Sequence, residues 1–247
     1  MRFATFNIRH GLPPGRHEVD HELLARTVAG LDADVLALQE VDRWTPRVGG
    51  RDQSLVVAEA TGATVHFGRA IALHGGEYGN ALVVRGELLE VRDLLLPAAG
   101  EDRAAVLARV RVPAGARDAA VWCVAATHLQ NRRRGRPAEA PGQLVEVLAA
   151  LDDLAGPTGP AVLLGDLNLG PDEVGPLLAA SGYVPAIGPP TFPAHRPRER
   201  IDWIAARGAT VGAGWAPDVR ASDHRPLVAE LTRGDLHMDG DPARPYR

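Results

Sequence analysis

The stretch PAVLLGDLN, residues 160–168, is the feature around which the rest of the chain can be placed. Its apolar first half is typical of a strand that is buried on both faces. Because side chains alternate along a strand, we expect Asp166 and Asn168 to project to one side while Leu164 and Leu167 pack inside. An acid beside an amide at the mouth of a sheet suits the positioning of a water or a phosphate, but an ordinary Asx turn gives the same pattern.

Length and composition indicate one globular domain. The chain has 247 residues, of which 45% are hydrophobic and 23% are charged, and layered α/β folds reach this length as a single unit. We find no internal linker, so residues 1–232 are expected to form that domain. Residues 233–247 are polar and contain Gly, Asp and Pro, which predicts a disordered C-terminal tail.

Charge and cysteine content narrow the possible classes of protein. The formal net charge is -4 at pH 7, so the chain lacks the overall basic field of dedicated nucleic-acid-binding proteins, although a cleft can still concentrate positive charge. The single cysteine, Cys123, cannot form a disulfide framework and fits a buried apolar thiol. The chain shows no signal-peptide pattern and no segment that is long and apolar enough to span a membrane. We therefore expect a soluble cytoplasmic protein, and we infer no protein partner.

Predicted strands and helices alternate in part of the chain, while runs of strands occur elsewhere. A helix is expected after the N-cap Asp20, and a buried strand at 35–39 is expected to end at Glu40. A Gly-rich loop that contains residues 77–80 is expected between strands at 64–67 and 81–84. Two packed sheets with helices outside would bury these strands.

Polar side chains follow several of the predicted strands. Each has an ordinary explanation, such as a turn cap, a surface acid or a structural histidine. Repeated acids, amides and histidines at the ends of apolar strands nevertheless fit a shared pocket much better. These residues are Asn7, Glu40, His128, Asp166, Asn168, Asp202, Asp223 and His224.

Six segments that contain these residues resemble motifs of the endonuclease/exonuclease/phosphatase superfamily, and they occur in the same order. That superfamily includes deoxyribonucleases, apurinic/apyrimidinic endonucleases, inositol polyphosphate phosphatases and sphingomyelinases. The chain looks most like its small bacterial members, which are described as metal-dependent hydrolases. The segments are Thr5-Phe6-Asn7, Leu38-Gln39-Glu40-Val41, Thr127-His128-Leu129, Gly165-Asp166-Leu167-Asn168, Arg200-Ile201-Asp202-Trp203-Ile204 and Ser222-Asp223-His224-Arg225-Pro226-Leu227.

The resemblance implies a fold and a reaction. The fold is a four-layer α/β sandwich, in which two packed mixed β-sheets are flanked by helices, and residues 1–232 would be the catalytic domain. The reaction is divalent-metal-dependent hydrolysis of a phosphodiester, by metal-assisted direct attack of water. The phosphodiester could belong to a nucleic acid, a phospholipid head group or a related small molecule. The alternatives are a phosphomonoesterase that acts on a soluble phosphate ester, and a non-catalytic module that binds a phosphorylated ligand.

The resemblance also implies a role for each matched residue. Glu40 would be the main ligand of Mg²⁺ or Mn²⁺, because such hard cations prefer carboxylate oxygen, and Asn7 and Asp223 would complete or support that site. Asp166 would hold and deprotonate the attacking water, and Asn168 would orient the water or a phosphate oxygen. His224, oriented and kept cationic by Asp202, would contact the scissile phosphate or transfer a proton, and His128 would act as an acid or a phosphate ligand.

Four further residues are candidates for substrate binding: Arg9, Tyr78, Asn80 and Arg103. Arg9 stands where the apurinic endonucleases have a second carboxylate, so it would bind a substrate phosphate or lie exposed in a loop. The arginine-rich residues 132–136 could also contact phosphates, although a solvated surface is the default expectation. A last group could either shape the substrate end of the pocket or form a solvated loop: Asp42, Arg43, Asp52 and Gln53.

Overall fold

The computed structural model describes residues 1–96, 98–115, 119–131 and 138–234. Two six-stranded sheets lie face to face, and helices cover their outer faces. The elements are β1 (Arg2–Asn7), α1 (His21–Gly30), β2 (Val35–Arg43), α2 (Gln53–Thr61), β3 (Thr64–Leu73), β4 (Gly76–Val84), β5 (Glu87–Leu96), β6 (Arg103–Pro113), β7 (Ala119–His128), α3 (Ala140–Ala155), β8 (Ala161–Asp166), α4 (Pro171–Ala180), β9 (Val184–Pro185), β10 (Asp202–Arg207), β11 (Ala209–Trp215) and β12 (Leu227–Arg233).

The strand order is β11-β12-β1-β2-β4-β3 in the first sheet and β5-β6-β7-β8-β10-β9 in the second. Each sheet has one parallel pair at its centre, β1–β2 in the first and β7–β8 in the second, among antiparallel neighbours. Apolar side chains from both sheets interdigitate between them, while α1 and α2 pack on the first sheet and α3 and α4 on the second. The predicted four-layer α/β sandwich is therefore confirmed.

Local sequence explains where the first two helices begin and end. Asp20 accepts a hydrogen bond from the backbone N–H of Leu23, and Asp52 accepts from the N–H groups of Ser54 and Leu55. Each carboxylate thereby satisfies a donor that a helix N-terminus leaves free. Gly62 ends α2 in the left-handed conformation, because a residue without a side chain adopts it at little cost.

The segment around Gly165 fixes how closely β7 and β8 approach. All of β8 is buried, and a side chain at Gly165 would overlap the carbonyl oxygen of Thr127 on β7. Replacing Gly165 by alanine should therefore lower the free energy of unfolding by about 2–4 kcal/mol, measured by chemical denaturation. Gly142 of α3 has open space around it, so Gly142→Ala is the control and should cost nothing. Equal stability of the two variants would contradict this account of the strand pairing.

Some predicted element bounds were wrong. Residues 77–80 belong to β4 and are not a loop, because this segment pairs with both β2 and β3. Strand β2 runs on to Arg43, and Glu40 lies within it. Arg233, which the prediction assigned to the tail, pairs with Ala209 in the sheet; residues 235–247 lie outside the described residues. Within the described ranges, the model contains no helix that could span a membrane.

Candidate active site

The predicted site residues converge at one end of the sandwich, where the carboxyl ends of the parallel strands meet. Asn7 ends β1, His128 ends β7 and Asp166 ends β8. Asp166 is paired in register with His128 on one side and with Asp202 on the other. A cavity of about 370 Å³ opens at this edge, and its wall residues are Asn7, Glu40, Arg103, His128, Asn131, Asp166, Asn168, Phe192, Glu199, Ile201 and His224.

Glu40 reaches the cavity through an irregularity in β2. The register between β2 and β4 shifts between Leu38 and Val41, and Glu40 has a positive φ of 57°. Such a β-bulge re-aims a side chain without ending the strand. This is why the strand continues to Arg43 although Glu40 resembled its last residue.

Asp166 is the hub of the hydrogen-bond network. Its Oδ2 accepts from the Asn7 side-chain amide at 3.0 Å, and its Oδ1 accepts from the backbone N–H of Asn168 at 3.0 Å. Nε2 of His128 and Nε2 of His224 lie 3.6 and 3.7 Å from Oδ2. The carboxylate thus forms the anticipated Asx turn and also faces the cavity, so the two interpretations of this stretch are compatible.

Burial raises the pKa of Asp166 to about 7, since the charge of His224 offsets only part of the desolvation and the nearby Asp202 adds to the rise. A carboxylate with a pKa near neutrality can take up a proton from water during catalysis and release it again. The Asn168 amide donates to the carbonyl oxygen of Leu129 at 3.0 Å, which fixes its orientation at the cavity wall.

His224 is paired with a fully buried carboxylate. Its Nδ1 lies 2.9 Å from Oδ2 of Asp202, and the hydroxyl of Thr191 donates to the same oxygen. Burial disfavours the imidazolium, but the charges of Asp202 and Asp166 outweigh it and raise the pKa of His224 to about 10. A pKa of about 10 favours the imidazolium form of His224 at neutral pH.

His128 differs from His224 in its charge. Burial, together with the positive charges of Arg103 and His224, lowers the pKa of His128 well below its usual value. Nη1 of Arg103 lies 3.4 Å from Nδ1 of His128; because a guanidinium only donates, this contact assigns the proton of the neutral ring to Nε2. A neutral His128 suits hydrogen-bond donation to a phosphate oxygen and does not suit the predicted alternative of a general acid.

Glu40 has the character expected of a cation ligand. Its Oε1 accepts a 3.0 Å hydrogen bond from the Asn7 amide, yet burial, which this hydrogen bond only partly offsets, keeps the pKa of Glu40 above its usual value. A partly buried carboxylate whose pKa is raised by desolvation would be stabilised by a divalent cation, and oxygen donors suit Mg²⁺ or Mn²⁺. Asn7 Oδ1 accepts from the backbone N–H of Arg9, so Asn7 also orients both carboxylates from one fixed position.

A second set of groups could also hold a metal ion. Ligand atoms of Asp166, Asp202 and His224 lie within 4.8 Å of one another. However, Nδ1 of His224 is occupied by Asp202, and the raised pKa keeps this ring protonated. A protonated imidazole cannot ligate a metal, so this trio fits proton handling better than metal binding.

Other predicted residues lie at the rim or away from the cavity. Nε of Arg9 lies 3.6 Å from Oδ2 of Asp223, and both side chains are partly exposed. Tyr78 lines an adjoining cavity. Asn80 is buried and donates to the carbonyl oxygen of Ala104 on β6, so its position does not support the predicted substrate contact. Residues 132–136 lie outside the described residues.

The sequence interpretation missed several residues at the site. Thr191 holds Asp202 from a Pro-rich segment, and Asn131, Phe192 and Glu199 line the cavity from connecting segments. None of them stands at the end of an apolar run, so strand patterns could not reveal them. The polar residues that follow Glu40 in the sequence were expected either to shape the substrate end of the pocket or to form a solvated loop. They do not form a solvated loop, because Asp42, Asp52 and Gln53 are buried.

Comparisons with known proteins agree with this geometry. The model of the Endonuclease/Exonuclease/phosphatase family matches residues 4–224. An endonuclease/exonuclease/phosphatase structure from Beutenbergia cavernae aligns with a TM-score of 0.79 and 24% identity, over 95% of this chain and 72% of its own. The human nocturnin catalytic domain aligns with a TM-score of 0.71 and 20% identity, over 94% of this chain and 94% of its own. A mannosyl-6-phosphatase from Bacteroides thetaiotaomicron aligns with a TM-score of 0.73 and 16% identity, over 94% of this chain and 99% of its own. No curated protein sequence matched. The structural likenesses establish a shared fold.

Proposed function

The chain belongs to the endonuclease/exonuclease/phosphatase family of hydrolases, and from this membership we propose that it is a Mg²⁺- or Mn²⁺-dependent phosphoesterase that hydrolyses a phosphodiester by direct attack of water. The observation that carries the proposal is the placement of Asp166. Its carboxylate lies between the cationic His224 and the neutral His128, in a cavity that Glu40 also lines. A base, two hydrogen-bond donors and a cation ligand are thus available to one phosphate group.

The catalytic role proposed for each side chain follows from its protonation state and its hydrogen bonds. Asp166 accepts the proton of the attacking water, since its pKa of about 7 makes it a base at neutral pH. His224 donates from Nε2 to the phosphoryl group and stabilises the charge that develops there, and Asp202 keeps its ring oriented and protonated. His128 donates a further hydrogen bond, and Asn168 orients the water or a phosphate oxygen.

A divalent cation would be held by Glu40, with Asn7 and Asp223 in support, and it would neutralise negative charge on the phosphoryl group. Arg103 contributes fixed positive charge beside it. Its side chain is only 5% exposed, and it contacts Glu101 and Gln130 as well as His128. Arg9 could contact substrate from the rim, where Asp223 now pairs with it.

A phosphomonoesterase is the second candidate function. It is favoured by the size of the catalytic cavity, about 370 Å³, which suits a small soluble ester. Nucleic acid remains a possible substrate of the leading proposal, because the net charge of -4 does not prevent a cleft from attracting phosphates. A cytoplasmic location stays a prediction from the sequence.

The proposal is tested by assaying purified protein on nucleic acids, phospholipid head groups, activated phosphodiesters and phosphomonoesters. Turnover is expected after addition of Mg²⁺ or Mn²⁺ and should stop with excess chelator. The Glu40→Gln variant should need far higher metal concentrations than the wild type to reach the same rate of turnover. Glu173→Gln, in α4 and outside the cavity, serves as the control and should need the same metal concentration as the wild type. Failure to turn over any substrate with either metal would contradict the proposal, and turnover of monoesters alone would favour the second candidate.

A further inference from the structure

A second cavity adjoins the catalytic one and has no role in the proposed mechanism. Its volume is about 270 Å³, and it shares Glu40, Arg103 and Asn131 with the catalytic cavity. Its other wall residues are Arg47, Leu73, Tyr78 and Glu101, and the Glu101 carboxylate is paired with Arg103 at 2.9 Å. Because the two cavities share three wall residues, a group that extends from a phosphate bound at the catalytic centre could enter the second cavity.

Arg47 is held at this wall by a buried acid. Its Nε and Nη2 each donate to the carboxylate of Asp42 at 2.7 Å, and the side chain of Asp42 is inaccessible to solvent. The hydroxyl of Thr45 donates to the same carboxylate, while the side-chain oxygen of Gln53 accepts from the backbone N–H of Asp42. The polar residues that follow Glu40 in the sequence thus fix one arginine.

The fixed guanidinium still has donors to offer. A guanidinium carries five N–H groups, and the two contacts with Asp42 leave Nη1 free of that carboxylate. The Arg47 side chain is 38% exposed. An arginine fixed in this way loses little freedom when it binds an anion, and its planar fork matches phosphate oxygens.

The surroundings of Arg47 add further donors. Burial, and to a lesser degree the charge of Glu40, raises the pKa of Tyr78, so its hydroxyl remains protonated. Nε of Arg103 is buried and lacks a partner among the described residues. Burial and the charge of Arg47 lower the pKa of nearby His10 to about 4, and Asp42 opposes this only in part. The positive charge of Arg47 therefore acts on His10 as well as on its ion-pair partner Asp42.

We propose that Arg47 determines substrate specificity by binding a second phosphate group of the substrate in the side cavity, while the first phosphate occupies the catalytic cavity. The inference rests on the proposed function and deepens it. It assigns as substrate class a compound with two neighbouring phosphate groups, whether a free small molecule or part of a nucleotide chain. If Arg47 served only to neutralise Asp42, the protein would show no preference for a substrate with a second phosphate group.

The test compares nitrophenyl phosphodiesters of thymidine with and without a second phosphate on the sugar. The variant is Asp42→Asn/Arg47→Gln, which removes the cation without leaving a buried unpaired carboxylate. The wild type should prefer the bisphosphate, and the variant should raise KM for it by about 10–100-fold, with a much smaller change for the single phosphate. Arg69, an arginine with an exposed side chain, provides the control Arg69→Gln, which should behave as wild type.

Binding of pyrophosphate and of orthophosphate, measured by calorimetry at a fixed Mg²⁺ concentration, tests Arg47 independently of turnover. The Kd of pyrophosphate should rise about tenfold or more in the double variant, and that of orthophosphate much less. The inference would be overturned if the double variant kept the wild-type preference for the second phosphate in both measurements. It would also be overturned if the variant lost affinity equally for both ligands and for both substrates. Absence of turnover by the wild type would contradict the proposed function alone, because the binding result still decides on Arg47.

Discussion

Replacing Asp166 by asparagine should lower kcat by about 10²–10⁴-fold, the usual range for loss of a positioned general base. Asparagine has nearly the same shape but cannot accept the proton of the attacking water. Because burial raises the pKa of this carboxylate to about 7, the charge is unfavourable in the folded state above that pH. Its removal should offset the one hydrogen bond that asparagine cannot accept, from Asn7 or from Asn168, so the melting temperature should change little. The measurement is steady-state hydrolysis with saturating metal, together with thermal unfolding at pH 8.

The control for this variant is Asp172→Asn, since Asp172 is exposed in the first turn of α4. It should keep wild-type kcat. Equal activity of Asp166→Asn and Asp172→Asn would remove Asp166 from the chemistry. A loss of activity accompanied by unfolding would instead give Asp166 a structural role.

Replacing Asp202 by asparagine should change the pH dependence of hydrolysis as well as its rate. In the wild type, activity should rise through about pH 7 as Asp166 loses its proton, and fall through about pH 10 as His224 loses its own. Without the charge of Asp202, burial favours neutral His224, so the alkaline fall should move toward neutral pH. The measurement is kcat/KM as a function of pH.

An exposed pair of the same type provides the comparison. Nε2 of His66 lies 3.0 Å from Oδ1 of Asp93 on the sheet surface, so Asp93→Asn should leave the profile unchanged. An alkaline limb at the same pH in wild type and Asp202→Asn would show that His224 does not act as the proposed cation. A bound metal lowers the pKa values of nearby acids, so profiles are compared at one metal concentration.

The sequence predicted that several polar residues would lie together at one edge of the sandwich, because these residues share a simple property. Asn7, His128 and Asp166 each end a strand next to an apolar run, and parallel strands bring such ends to one edge. Glu40 also followed an apolar run and was assigned to the pocket as the end of its strand, but the strand continues to Arg43. The bulge that turns it toward the cavity depends on pairing with β4, which a local pattern does not report.

Residues 77–80 show where local propensity misled the interpretation. Gly79 and its polar neighbours suggested a loop, but the segment belongs to β4, which lies between β2 and β3. A side chain at Gly79 would overlap the carbonyl oxygen of Gly68, so this glycine permits close strand approach. Tertiary packing therefore outweighed turn propensity.

Asp42 could not be assigned from sequence for a different reason. A carboxylate in a polar segment is usually solvated, and only the fold brings Arg47 and Thr45 around it. The sequence analysis left open whether these residues form a solvated loop or shape the substrate end of the pocket. Deciding between the two requires the contacts of Asp42, and the spacing of residues in the sequence does not give these contacts. Thr191, which holds Asp202 from a Pro-rich segment, belongs to the same class.

The most direct test of the central claim is hydrolysis of an activated phosphodiester by wild type and by Asp166→Asn/His224→Gln, purified in parallel and supplied with Mg²⁺ or Mn²⁺. Loss of His224 leaves the buried Asp202 without its cationic partner, so the double variant should unfold at a lower temperature, and both proteins are assayed well below their melting temperatures. Wild type should show metal-dependent multiple turnover, and the double variant should fall to the uncatalysed rate within about 10²-fold. The same rate for both folded proteins would contradict the assignment of this cavity as the catalytic site.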